Sequence, residues 1–287
     1  MAIDFQRSLG LELSGPRSAK SVVAAIDRYS KESRWVLSEL HVFRENSEKN
    51  PDKEIINHIS SLIEEDKIQC SGIALNAPLS FPPYLKTISP DQLPFPEDSL
   101  DEEVKWMMNI QSKLEAKTPS IKHFIPYLQR PSEIYLRTAT PERFPISDAF
   151  SANGAALAAR ARFLNPYIRA QKNEIYIRGS VTRICQSLKM PKFVEAGYSS
   201  LTGGLEARNE FFFQIQKSLP KLFIYDEHIE AMTLYLYMFN AFVAALTQQL
   251  ISLNSTEMPP PNYPKSASWI HLPKITTDWE KLFKNKV

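Results

Sequence analysis

NPDKEIINHISSLIEEDKIQCSGIAL, residues 50–75, reads as a helix that delivers the chain into a buried strand. Asn50 is a strong N-cap, because its side-chain oxygen accepts a backbone N–H that the first helical turn leaves unpaired. Proline suits the next position, where no donor is needed. Ile55, Ile56, Ile59, Leu62 and Ile63 recur at helical spacing and form one apolar stripe. Gly72-Ile73-Ala74-Leu75 is then apolar without alternation, the pattern of a parallel strand covered on both faces.

Upstream, three apolar runs joined by short polar turns predict an antiparallel meander: Ala2-Ile3-Asp4-Phe5, Ser21–Ile26 and Trp35–Phe43. Downstream, residues 78–96 contain six prolines and cannot be regular structure. Residues 91–116 hold seven acids against Lys105 and Lys113, with a helical run around Trp106-Met107-Met108. The stretch 78–147 is therefore expected to be a large insertion over the core. Asn173–Arg178 alternates as a strand, and Glu133–Arg137 weakly echoes it. Two helices follow, over about 204–218 and 226–252, with Asp226 as the N-cap of the second. A C-terminal arm over about 258–287, after Pro259-Pro260-Pro261, is anchored by Trp269 and Trp279. The expectation is one α/β domain over 1–287: a mixed sheet with an antiparallel three-stranded start and helices on both faces.

With 287 residues, 43% of them apolar and a net charge of +2, the chain is neither disordered nor a polycation. Only 8 glycines are present, and no stretch matches the glycine-rich phosphate loops. Cys70 and Cys185 are too few for a disulfide framework or a four-thiolate zinc site. The N-terminus lacks the basic and apolar regions of a secretory signal, which predicts a cytoplasmic protein. Residues 231–256 carry no charge, but Thr233, Asn240, Thr247, Gln248, Gln249 and Ser252 interrupt them. They read as a buried core helix, not a membrane span.

An acid in the first apolar strand costs energy unless it is paired, hydrogen-bonded or metal-bound, which singles out Asp4. Four segments then resemble, in order, a family of predicted nucleases with the ribonuclease H-like fold. They are Ala2-Ile3-Asp4-Phe5, Leu75-Asn76-Ala77-Pro78-Leu79-Ser80, Asn173-Glu174-Ile175-Tyr176 and Asn240-Ala241-Phe242-Val243-Ala244-Ala245-Leu246-Thr247. Tyr198 and Glu206-Ala207-Arg208 fit the stretch before the last of these.

The resemblance implies hydrolysis of phosphodiesters by two Mg²⁺ or Mn²⁺ ions about 4 Å apart, held by carboxylates from the first strand, the fourth strand and a late helix. Asp4 and Glu174 are the implied metal ligands. Asn76 and Asn240 stand where the family motif has Asp, so two charges are missing and the site is expected to be weakened. Read without the resemblance, Asn76-Ala77-Pro78 is a strand-ending turn and Asn240 a helix polar group bonded to nearby backbone.

The five histidines, His41, His58, His123, His228 and His271, show no metal-ligand spacing, and no nucleophile-elbow motif occurs. Residues 160–192 carry eight basic residues against one acid. Within them Arg169, Lys172, Arg178 and Arg183 are candidates for a nucleic-acid backbone, and Tyr167 and Tyr176 for base stacking. A solvated charged face and core packing are the alternatives. Two functions follow: a metal-dependent nuclease with a degenerate centre, or a non-catalytic module that binds nucleic acid or protein.

Overall fold

The computed structural model describes residues 5–15, 20–29, 31–43, 50–65, 68–86, 98–115, 125 and 127–284. The elements in chain order are β1 (Phe5–Glu12), β2 (Ser21–Tyr29), β3 (Arg34–Phe43), α1 (Pro51–Glu64), β4 (Ile68–Leu75), α2 (Pro83–Lys86), α3 (Glu102–Glu115), α4 (Pro131–Thr138) and α5 (Ala152–Leu164). They continue with β5 (Lys172–Ile175), α6 (Ile177–Ser187), α7 (Lys192–Gly197), α8 (Gly204–Ser218), β6 (Leu222–Phe223), α9 (Asp226–Leu234), α10 (Leu236–Ser252), β7 (Ile270–His271) and α11 (Trp279–Lys284).

The strands form one mixed sheet in the order β6-β3-β2-β1-β4-β5-β7. β1, β2 and β3 are antiparallel neighbours, whereas β4 runs parallel to β1, β5 to β4 and β6 to β3. The meander and the parallel strand after α1 thus form as the sequence pattern predicts. Asn50 caps α1, accepting from the backbone N–H groups of Asp52 and Lys53.

Alternation along β1 assigns the two faces of the sheet. Ser8 bonds to Gln249 of α10, and a Cβ on Gly10 would lie 2.1 Å from the Ala245 backbone nitrogen of that helix. Arg7 points the other way, where Leu62 and Glu65 at the end of α1 accept from its guanidinium. Helices therefore cover both faces. On the α1 side Arg7 also forks onto both oxygens of Asp27, at 2.7 and 2.8 Å, deep in the protein. Burial works against this cation, but the paired carboxylates outweigh it and hold the guanidinium firmly charged. On the α10 side Val22, Ala24, Ile26, Trp35 and Leu37 join Phe211, Phe212, Phe239 and Phe242 in the main core.

The chain separates into two compact units. The first is Met1–Asn76, Pro166–Glu257 and His271–Val287, and the second is Ala77–Asn165 and Met258–Ile270. The second unit is helical, with Val104, Met107, Ile134 and Leu136 buried. Arg130 and Glu133 form a buried pair at 2.7 Å, and Trp269 packs against Tyr135 and Tyr263. In the first unit the Trp279 indole donates to Ser187, and Phe283 packs on Trp35. Both cysteines are free.

Of the expected first strand Ala2–Phe5 only Phe5 lies among the described residues, where it opens β1. Four local expectations need correction. β5 stops at Ile175, and Arg178 lies in the first turn of α6, where Ile177, Val181 and Ile184 face the core at helical spacing. The Glu133–Arg137 echo is helical: Pro131 opens α4 and Glu133 folds back to accept from the Arg130 N–H. The 226–252 segment is two helices bent by 119° at Tyr235. Arg208, buried beneath the break, donates to the carbonyls of Thr233 and Leu234 that the end of α9 leaves unpaired. Tyr225 occupies the N-cap position of α9 without a side-chain cap bond, and Asp226 is its first helical residue. Among the described residues no single helix is long and apolar enough to cross a membrane.

Candidate functional site at the ends of β1, β4 and α10

The register of β1 on β4 pairs Leu11 with Leu75, so the next residues, Glu12 and Asn76, emerge side by side at the carboxyl ends of two parallel strands. Open α/β sheets place their sites at such ends. The third participant comes from α10. Gly10 leaves no side chain between β1 and the helix, and Ala241, Ala244 and Ala245 supply the facing small residues. This close approach brings Asn240, just before Ala241, down onto Glu12.

The three side chains form a closed set. Asn240 Nδ2 donates to Glu12 Oε1 at 3.0 Å, and Asn76 Nδ2 donates to Oε2 at 3.3 Å. Asn76 Oδ1 accepts in turn from the Ile177 N–H, at 3.4 Å, which ties the trio to the start of α6. Asn240 Oδ1 is buried without a hydrogen-bond partner. Burial pushes the Glu12 carboxyl up to about 7, although the Asn240 and Asn76 amides pull it down. Tyr198, tilted against Phe239 at 5.4 Å between ring centres, is raised by burial as well, with Tyr176 and Glu12 adding to the effect.

Below the trio, α10 is stitched to the sheet by further polar contacts. Ser8 donates to Gln249 Oε1 at 2.9 Å, Gln248 Nε2 donates to the Ser71 carbonyl at 3.2 Å, and Asn173 Nδ2 donates to Gln248 Oε1 at 2.9 Å. Gly72 permits this, since its φ of +130° and its contact with the Gln248 amide leave no place for a side chain.

Of the expected site residues, Asn76 and Asn240 meet, and they meet on Glu12. Asp4 lies outside the described residues. Glu174 sits beside Leu75 in the register of β5 on β4, but Asn173 occupies the α10 face, so Glu174 turns to the opposite one. There it is buried, and its charge acts on His271 of β7. The basic candidates do not gather either. Arg183 is 3% exposed and ion-paired with Glu257 at 2.8 Å. Lys172 donates to the Ile168 carbonyl, and Arg169 is exposed 3.7 Å from Glu64. Arg178 is exposed on α6.

Glu12 lies seven residues beyond Phe5, where the expected first strand ends. Its signal was present in Ser8-Leu9-Gly10-Leu11-Glu12-Leu13, where small and polar residues alternate with leucine and end on an acid.

Chemically, the trio offers one carboxyl, able to take or release a proton near neutrality, and two amides. It does not match a pair of Mg²⁺ or Mn²⁺ ions, which call for several carboxylates. Both Glu12 oxygens already face N–H donors, and the amides turn nitrogen, not oxygen, toward the centre. No known family, curated protein or solved structure matches the chain.

Proposed function

We propose that this chain is a non-catalytic binding module on a ribonuclease H-like fold, with its ancestral nuclease centre converted into a hydrogen-bonded closure. The observation that carries this reading is the engagement of both Glu12 oxygens by amide donors, from the positions after the fourth strand and on the late helix where the resemblance implies metal-binding carboxylates. Nucleic acid is the partner class that the exposed cations Arg169 and Arg178 suit, by contact with phosphates. Arg183 and Lys172 do not add to that surface, being engaged within the protein.

A second reading, residual metal-dependent nuclease activity, draws on the partnerless Asn240 Oδ1, an oxygen that a cation can use.

One set of measurements separates the two readings. Purified protein is incubated with labelled DNA and RNA and Mg²⁺ or Mn²⁺, beside Glu12→Ala. The expected result is salt-sensitive binding without metal-dependent cleavage. In thermal unfolding, Asn76→Asp with Asn240→Asp should be less stable than the native protein without metal and should gain more from Mg²⁺. Like charges beside Glu12 repel, and an ion that binds only the folded state restores the loss. Cleavage by the native protein that disappears in Glu12→Ala would overturn the non-catalytic reading.

A further inference from the structure

On the α1 face of the sheet, Glu39 and His41 stand two residues apart on β3 and so project to the same side. The stripe that buries Ile55, Ile59 and Leu62 of α1 also brings His58 over them. No two histidines are close in sequence, yet strand and helix packing sets these two rings 4.3 Å apart, nearly parallel. His58 Nε2 lies 3.3 Å from Glu39 Oε1, and His41 Nδ1 lies 4.0 Å from the same oxygen. All three donor atoms fall within 4.8 Å of one another.

We propose that Glu39, His41 and His58 bind a single divalent transition-metal ion of the Zn²⁺ class. Ligands at about 2.0–2.1 Å from a tetrahedral zinc are separated by about 3.3 Å. The Glu39–His58 separation already has this value, whereas the exposed His41 ring must turn off its stack on His58 and close from 4.0 Å on Glu39, so that both ring planes contain the ion. His58 Nε2 is buried with the Glu39 carboxylate as its polar neighbour at 3.3 Å, and an ion between them would replace that pairing. Two imidazoles with one carboxylate select a borderline-soft ion over Mg²⁺ or Ca²⁺, which want oxygen. His41 and His58 line an open groove of about 870 Å³ that Glu54, Asn57 and Ser61 also border, and Glu39 stands next to them on β3. Three protein ligands at the edge of a groove leave a fourth position for water or a small anion, the arrangement of a reactive site and not of a closed structural one. The cluster lies on the opposite face of the sheet from Glu12 and does not depend on the function proposed above.

The test uses the full chain after treatment with a chelator. Zn²⁺ is titrated by calorimetry and Co²⁺ by visible absorption, each with excess Mg²⁺ present. The expected result is one ion per chain, a Co²⁺ spectrum of low coordination number, and a metal-induced rise in Tm. His41→Ala and Glu39→Gln should each weaken Zn²⁺ binding at least tenfold. His41 is exposed, so its replacement leaves the fold intact, which far-UV circular dichroism verifies. His58→Ala should abolish the Co²⁺ spectrum. Absence of stoichiometric binding would overturn the proposal, as would binding that His41→Ala and Glu39→Gln leave unchanged.

Discussion

Replacing Glu12 by glutamine tests the charge of the trio directly. Burial raises this carboxyl from 4.5 to about 7. At 1.36 kcal/mol per pH unit, that displacement corresponds to about 3 kcal/mol. Solvent still reaches part of the residue, and screening lowers the figure to about 2 kcal/mol. Between pH 4.5 and 7 the folded state holds a proton that the unfolded chain has already released. Folding stability therefore falls as pH rises through this window and stays low above it. Glu12→Gln has no such proton. The new side chain keeps a carbonyl oxygen for one amide donor, and Asn240 can turn its partnerless Oδ1 toward the new N–H group. Urea unfolding of both proteins from pH 4.5 to 8 gives a stability difference at each pH, in which every other titrating group cancels. Hydrogen exchange at β1 and β4 amides localises that difference to the first unit. The native protein should lose about 2 kcal/mol relative to the variant across the window. Parallel profiles would mean that Glu12 titrates as an ordinary surface acid, and the desolvated site would be refuted.

Two further substitutions probe what holds the site in place. Asp27→Ala removes the two-oxygen partner of the buried Arg7 guanidinium, leaving it Glu65 and the Leu62 carbonyl, and should destabilise the protein by about 3 kcal/mol in denaturant unfolding, whereas a surface pair such as Arg34 with Glu32 should contribute under about 1 kcal/mol. Gly10→Ala places a methyl 2.1 Å from the backbone of α10, which has no flexible end to yield, so a loss of about 3 kcal/mol or more is expected, together with exposure of Glu12 to solvent that its carboxyl titration would report.

The elements with strong local signals were legible in the sequence. Asn50-Pro51 fixes the start of α1, and the unbroken Gly72–Leu75 run becomes a strand buried beside β1. The lengths of β5 and of the 226–252 helix were not legible, because each is decided by a distant partner. Ile177 begins a helix with its N–H on the Asn76 amide, and the chain breaks at Tyr235 where Arg208 takes the carbonyls before it. The site was half legible. Asn76 and Asn240 carry recognisable flanking sequence, but the residue they converge on became visible only when the β1 register was known. His41 and His58 were hidden for the same reason. Sixteen intervening residues separate them in the chain, and only the packing of α1 on β3 makes them neighbours.

The chemistry of the trio also accounts for the amides. Three carboxylates at the ends of β1, β4 and α10 would repel one another, and such a site needs cations to be stable. With asparagine at 76 and 240, the remaining carboxylate receives two N–H donors and the strand ends and helix are joined without an ion. The amides supply this join at a cost: one carboxyl stays desolvated, with its pKa near neutrality, and one amide oxygen has no partner. The same helix that carries Asn240 is locked lower down by Gln248 and Gln249 onto Asn173, Ser71 and Ser8. Its depth is set between these two polar ends by Gly10 against Ala241 and Ala245. These contacts hold Asn240 against Glu12, so an ion reaches the Glu12 carboxyl only when the Asn240 hydrogen bond opens, which is the barrier that Asn76→Asp with Asn240→Asp removes.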